Sequence, residues 1–230
     1  MTASLRALPR LFVPGATADG AIELPTAELD KLRKVLRLVS GAEIAILPDN
    51  GTLIHARLEG SQAIPISVEN PKTESERNLV ILQALPKGDK AEEVVRACTE
   101  IGASGFVFFP SRRTIVRWDD TKTEAKLNRL RTIARESCEV SFRTRVPKIG
   151  YLPSLDAVLK EFPNCIALSE AEHTTPVLTQ AEYILIGPEG GWAPEEAEKI
   201  KDRGVTLGPR VLRVEHAGAA AAAILLLRHG

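Results

Sequence analysis

Residues 186–192 read Ile-Gly-Pro-Glu-Gly-Gly-Trp, and residues 207–215 read Leu-Gly-Pro-Arg-Val-Leu-Arg-Val-Glu. Each Gly-Pro turn follows a short apolar run with strand character, 181–186 for the first and 205–207 for the second. Such a turn leaves backbone N–H and C=O groups bare, with no Cβ to keep a flat ligand away. Two of them, close in sequence, predict one ligand pocket made of loops. The spacing is not G-x-G-x-x-G, and no Lys-Ser/Thr follows to complete a P-loop. A pocket that hydrogen-bonds a base or an amino acid through main chain is therefore favoured over a phosphate cradle. Tight strand-to-helix connections without any ligand would use the same glycines.

Outward from the turns, strands alternate with helices. Strands are expected at 79–84, 106–109 and 165–168. Helices are expected at 89–101, 122–140, 155–159, 194–203 and 217–227. The helix at 89–101 places Ala91, Val94, Val95, Cys98 and Ile101 on one face and stops at Gly102. Proline and two glutamates open the helix at 194, as suits a helix N-terminus. The last helix is apolar all round, which implies burial. This alternation predicts an α/β domain with a mainly parallel sheet, where ligands bind outside the carboxyl ends of strands. Both Gly-Pro turns fall at such ends.

The first part of the chain reads differently. Strands are expected at 10–13, 43–47, 53–58 and 64–69, with turns at Pro48–Gly51 and Glu59–Ser61. One helix, 27–38, is expected to put Leu29, Leu32, Val35, Leu36 and Val39 on one face. Short strands with a single helix suggest a small barrel. The polar stretch 71–78 opens with proline and reads as a linker. The predicted domains are 1–72 and 73–230.

The 230 residues are 44% hydrophobic, enough for a core, and 30 basic residues balance 30 acidic ones. The charge is uneven: residues 73–150 hold 15 basic and 11 acidic side chains. A local basic face suits a polyanion, and an ordinary solvated helix surface has the same composition. Cys98, Cys138 and Cys165 show no C-x-x-C or zinc spacing. Cys98 and Cys138 fall at apolar helix positions and read as core thiols, which points to a reducing cytoplasm. No metal site is expected. The apolar run 217–227 is too short for a membrane span.

The pair of turns closely resembles the SPOUT methyltransferases, and within them the ribosomal RNA small-subunit methyltransferase E family. Further similarities lie in Leu8-Pro9-Arg10-Leu11-Phe12, Lys34-Val35-Leu36-Arg37 and Leu85-Pro86-Lys87-Gly88-Asp89-Lys90. Others are Glu100-Ile101-Gly102-Ala103 and Arg143-x-Arg145-Val146-Pro147. The resemblance implies a PUA-like N-terminal barrel for RNA and a C-terminal α/β domain with a deep trefoil knot. It also implies a homodimer, S-adenosylmethionine as cofactor and N3-methylation of a uridine in small-subunit ribosomal RNA. Methylation of a ribose 2′-hydroxyl or of another base is an alternative. A non-catalytic RNA-binding protein is a further one.

Several positions depart from the family pattern. Val214-Glu215-His216 stands for Thr-Glu-Thr, and Val140 and Phe142 replace a glutamine and a glycine. Ser111-Arg112-Arg113 stands for Ser-Glu-Arg, and Lys31 for a histidine.

Methyl transfer to a uridine imide nitrogen needs that nitrogen stripped of its proton, or the developing oxyanion stabilised by a cation. Glu215, Arg143 and Arg10 are the catalytic candidates, with His216 a second possible proton acceptor. Glu215 is equally readable as a helix N-terminal carboxylate. The expected cofactor-binding residues are Leu168, Ile186, Gly187, Pro188, Glu189, Gly190, Gly191, Leu207, Gly208, Arg210, Leu212 and Arg213. The RNA-binding candidates are Arg10, Arg37, Lys87, Lys90, Arg113 and Arg145, since guanidinium and ammonium groups suit phosphate. Trp192 reads either as a pocket wall or as core.

Overall fold

The computed structural model describes residues 5–169, 178 and 180–227. The chain divides into two compact units, Met1–Glu74 with Cys138–Val146, and Ser75–Ser137 with Pro147–Gly230. The assignment of 138–146 to the first unit carries no sequence signal, because the helix expected at 122–140 runs through Cys138 without a break.

The first unit is a five-stranded sheet. Its strands are β1 (Arg10–Phe12), β2 (Ile22–Glu23), β3 (Glu43–Leu47), β4 (Leu53–Glu59) and β5 (Gln62–Glu69), in the order β1-β3-β4-β5-β2. β1 pairs parallel with β3, and the other pairs are antiparallel. Leu11, Ile22, Leu32, Ile44, Ile46, Ile54 and Leu58 form its core. The expected twelve-residue helix is not formed. Helix α1 covers only Thr26–Asp30, and the chain widens to a π-helix over Lys31–Val35. The wider turn breaks the 3.6-residue stripe. Leu32 is buried, whereas Val35 and Val39 are 71% and 73% exposed and Leu36 is also exposed. The two-residue strand β2 is too short to leave a pattern.

The second unit is a six-stranded, wholly parallel sheet in the order β11-β9-β10-β6-β7-β8. Its strands are β6 (Val80–Ala84), β7 (Gly105–Phe109), β8 (Lys148–Tyr151), β9 (Ile166–Leu168), β10 (Tyr183–Ile186) and β11 (Gly204–Val205). Helices α2 (Lys90–Ile101), α3 (Asp120–Ser141), α4 (Leu155–Glu161), α5 (Pro194–Ile200) and α6 (Val214–Leu226) connect or follow them. Gly102 caps α2 in the left-handed conformation at φ +118°, as its position after the apolar stripe implies. Ser154 caps α4 by accepting from the Ala157 N–H at 3.2 Å.

Leu82, Ala84, Phe109, Val158, Cys165, Ala167 and Leu185 build the core on one sheet face. Helix α6 lies on the other face. A Cβ on Gly218 would sit 3.1 Å from Ile186 Cδ1 and 3.2 Å from Cys98 Sγ, so glycine sets that close approach. Ala217, Ala221, Ala222, Leu225 and Leu226 are buried, consistent with the all-round apolar sequence. All three cysteines are buried and free. No helix among the described residues is long and apolar enough to cross a membrane.

Candidate functional site

Three parallel strands of the second unit end side by side, β9 at Leu168, β10 at Ile186 and β11 at Val205. The loops that leave them enclose a cavity of about 620 Å³. Its walls include Leu168 and Ser169, the whole run Ile186–Trp192, Val205–Leu207, and Arg210–Val214. The two Gly-Pro turns therefore share one cavity, in the size range of small-molecule and cofactor sites.

The glycines have separate reasons to be there. A Cβ on Gly187 would fall 2.9 Å from Trp192 Cε2, so only glycine lets the indole fold over the turn. Gly191 holds φ +68° and Gly208 holds φ +130°. Gly190 is not in the left-handed region, and a Cβ there would meet Arg113 at an ordinary 3.6 Å. The left-handed position of the first turn is therefore Gly191 and not Gly190. Trp192 is both wall and core, since its ring lines the cavity and stacks on Phe109 at 6.4 Å.

Lys90 opens α2 and reaches both turns' surroundings. Its ammonium lies 3.3 Å from Glu189 and 3.1 Å from Glu215. Glu189 also accepts the Lys87 N–H at 3.0 Å. Burial pushes the Glu189 carboxyl up, but the Lys87 and Glu189 N–H groups and Lys90 outweigh it and hold the carboxyl below its ordinary range. The same balance lowers Glu215: burial raises it, while its own N–H in the first turn of α6, Lys90 and His216 pull it down. Lys90 is raised in turn, mainly by its hydrogen bond to Glu215. A carboxylate so stabilised is a weak proton acceptor at neutral pH.

Arg113 donates from Nη1 to the Gly190 carbonyl at 2.9 Å, bracing the first turn. Arg210 and Arg213 line the cavity. Glu196 accepts from the Ala193 and Arg112 N–H groups at 3.2 and 2.9 Å and fixes the start of α5 behind Trp192.

Eleven of the twelve expected cofactor residues line this cavity, and Gly208 does not. Gly208 instead turns the second loop, its N–H and C=O both bonded to Thr206 Oγ1. Of the expected RNA contacts, Lys90 and Arg113 also line the cavity. Lys90 faces two carboxylates there, because the N-terminus of α2 points it between them. Lys87 enters through its backbone and has an exposed side chain. Ser169, Thr206, Val205, Val211, Val214, Ala197 and Ala217 line the cavity without having been singled out. Their signal was available only as adjacency to the turns.

The other expected residues belong to the first unit. Arg10 is buried and donates from Nη2 to the carbonyls of Leu5, Arg6 and Leu8 at 3.2, 3.0 and 3.4 Å. Its guanidinium lies 3.8 Å from the centroid of the Phe142 ring. Arg143 is buried and grips Glu74 through Nε and Nη2 at 3.1 and 2.8 Å. Glu74 also accepts the Thr144 and Arg145 N–H groups. Arg145 is exposed and bonds the Asn50 carbonyl. Arg37 is exposed at φ +55°. Much of the donor capacity of the catalytic candidates Arg10 and Arg143 is engaged within the unit.

The family described as RNA methyltransferase domain matches residues 73–226. The chain is 30% identical over 213 residues to the ribosomal RNA small subunit methyltransferase E of Bacillus subtilis, covering 83% of each. It is 30% identical over 225 residues to the protein of that name from Synechocystis, covering 89% of this chain and 72% of that one. Among solved structures, the ribosomal RNA small subunit methyltransferase E of Neisseria gonorrhoeae bound to S-adenosyl methionine aligns with a TM-score of 0.83 at 26% identity. That match covers 94% of this chain and 95% of the other. A Legionella pneumophila methyltransferase in complex with the same cofactor aligns with a TM-score of 0.86 at 25% identity, covering 94% and 96%.

Proposed function

We propose, from the premise that this chain belongs to the ribosomal RNA small-subunit methyltransferase E family, that it is an S-adenosylmethionine-dependent enzyme that methylates N3 of a uridine in small-subunit ribosomal RNA. The observation that carries this reading is the convergence of both Gly-Pro turns on one cavity at the carboxyl ends of the parallel sheet. The residues present fit the cofactor. Main-chain groups of Gly187–Gly191 and Leu207 suit a base and ribose, while Leu168, Ile186 and Leu212 give apolar walls.

The bound cofactor supplies a methyl group on a sulfonium, an electrophilic carbon with a neutral thioether as leaving group. The protein's task is to hold the acceptor nitrogen in line, which is a matter of proximity. Arg210 and Arg213 sit on the wall where a uracil oxygen can approach and stabilise its developing negative charge. With Glu215 held as a carboxylate by Lys90, the N3 proton would leave to solvent while Arg210 and Arg213 would hold the uracil oxygens. Glu215 lies behind the cavity wall and holds Lys90 rather than abstracting a proton, because Lys90 and the helix terminus depress its basicity.

The reading extends to architecture. The mixed five-stranded sheet of the first unit supports a PUA-like RNA-binding module at 1–72. The wholly parallel sheet supports a SPOUT domain at 73–230. A trefoil knot, a homodimer and a cytoplasmic location are further expectations of the resemblance. Mass spectrometry of nucleosides from small-subunit ribosomal RNA, treated with the protein and cofactor, tests the activity. N3-methyluridine is the expected product. A 2′-O-methylated nucleoside would replace the proposed acceptor, and no new nucleoside would overturn the reading.

A further inference from the structure

A second cavity, of about 310 Å³, lies wholly within the first unit and shares no lining residue with the first. Arg6, Arg10, Lys72 and Arg143 line it, against one acidic residue, Glu69. Phe142 supplies an aromatic wall. We propose that this cavity binds a single unpaired nucleotide of RNA, with its base against Phe142 and its phosphate on Arg6 and Lys72. The choice of RNA as the source rests on the function proposed above.

The charges are unequal in what they have left to offer. Arg143 is held by Glu74, and Glu69 accepts from Ser67 Oγ at 2.9 Å. Arg6 and Lys72 are exposed and make no ion pair among the described residues. Arg10 is buried, yet its Nε has no hydrogen-bond partner among the described residues. Burial lowers the Arg10 pKa, Glu139 partly offsets this, and Arg6 lowers it further. The cavity is thus a concave site with surplus positive charge, a condition that favours an anion.

The wall argues for more than an anion. Phe142 holds φ +66°, a backbone state that an aromatic residue adopts at a cost. Residues kept in that state concentrate at ligand clamps. Its ring is stacked by the Arg10 guanidinium at 3.8 Å, with Arg6 at 5.6 Å. Aromatic rings and guanidinium planes are the surfaces on which unpaired bases stack. A base within a duplex is already stacked and cannot enter such a pocket.

The test is calorimetric titration of the full chain with uridine 5′-monophosphate, uridine and inorganic phosphate. Uridine 5′-monophosphate is expected to bind more tightly than either part alone. Phe142→Gly removes the ring at a position whose backbone glycine accepts, so folding is kept, and it is expected to weaken that binding about fivefold or more. Lys72→Ala is expected to reduce the salt slope of single-stranded RNA binding by about one. Phosphate binding as tightly as the nucleotide, or variants that bind like the parent, would overturn the proposal. S-adenosylmethionine affinity, measured on the same proteins, is expected to be unchanged. Loss of cofactor binding by the parent, with nucleotide binding intact, would sink the methyltransferase reading and leave this subsite standing.

Discussion

The Lys90 ammonium lies 3.1 Å from the buried carboxylate of Glu215. The same ammonium reaches Glu189 in the first Gly-Pro turn, so one lysine ties the start of α2, the turn after β10 and the start of α6. Replacing it strands a buried carboxylate and frees the turn. Lys90→Met is expected to weaken S-adenosylmethionine binding on the order of tenfold, the scale of coupling between touching charged groups. Calorimetry measures this, and the double variant with Glu215→Gln is expected to lose less than the two single losses combined. Strict additivity would show that the pair does not act as a unit.

The glycines of the first turn rank by geometry. Gly187→Ala drives a methyl group into Trp192, and Gly191→Ala forces a side chain into a left-handed conformation. Each is expected to weaken cofactor binding, Gly187→Ala the more. Gly190→Ala meets only an ordinary contact and is expected to bind nearly as the parent does. Equal losses at all three positions, in the same titration, would contradict the assignment of Trp192 as the reason for Gly187.

The pH response follows from the direction of the shifts. Glu189 and Glu215 lie below their ordinary value of 4.5, so their ion pairs with Lys90 persist above it and are lost as pH falls through their lowered values. Lys90 lies above its ordinary value of 10.5, so its contribution holds below that pH and is lost as pH rises through the raised value. Cofactor affinity is expected to stay level across neutral pH and to fall on the acid side only below about 4.5. A titration of affinity near pH 6 to 7 would contradict the assignment to these three groups.

Phe142 sets two effects against each other. A non-glycine residue in the left-handed region costs about 1–2 kcal/mol. Stacking on Arg10 returns about 0.5–1 kcal/mol. Phe142→Gly is therefore expected to change stability by less than about 1 kcal/mol, read by denaturant unfolding. Glu74→Ala, by contrast, leaves Arg143 buried without the carboxylate that grips it, and is expected to cost about 3 kcal/mol. A large loss for Phe142→Gly or a small one for Glu74→Ala would reverse this account of how 138–146 is held.

Much of the second unit was legible because its signals are local. Gly-Pro turns after apolar runs, the stripe of α2 with its glycine stop, and the apolar run 217–227 each need only a dozen residues. The cavity walls followed from the turns themselves. What stayed hidden depends on distant partners. Lys90 reads as a surface cation until Glu189 and Glu215 come beside it. The seating of Arg10 against the carbonyls of Leu5, Arg6 and Leu8 and the Phe142 ring likewise carries no local signal. The π-helical turn at Lys31–Val35 defeats any stripe argument, because the pattern there is written for a helix the backbone does not keep.

The most direct measurement is a crystal structure of the chain grown with S-adenosylmethionine. The account predicts the cofactor between the turns 187–191 and 207–213, its base against main-chain groups and its methyl facing the wall formed by Arg210 and Arg213. Cofactor bound outside this cavity, or none bound with Trp192 closing the space, would contradict it.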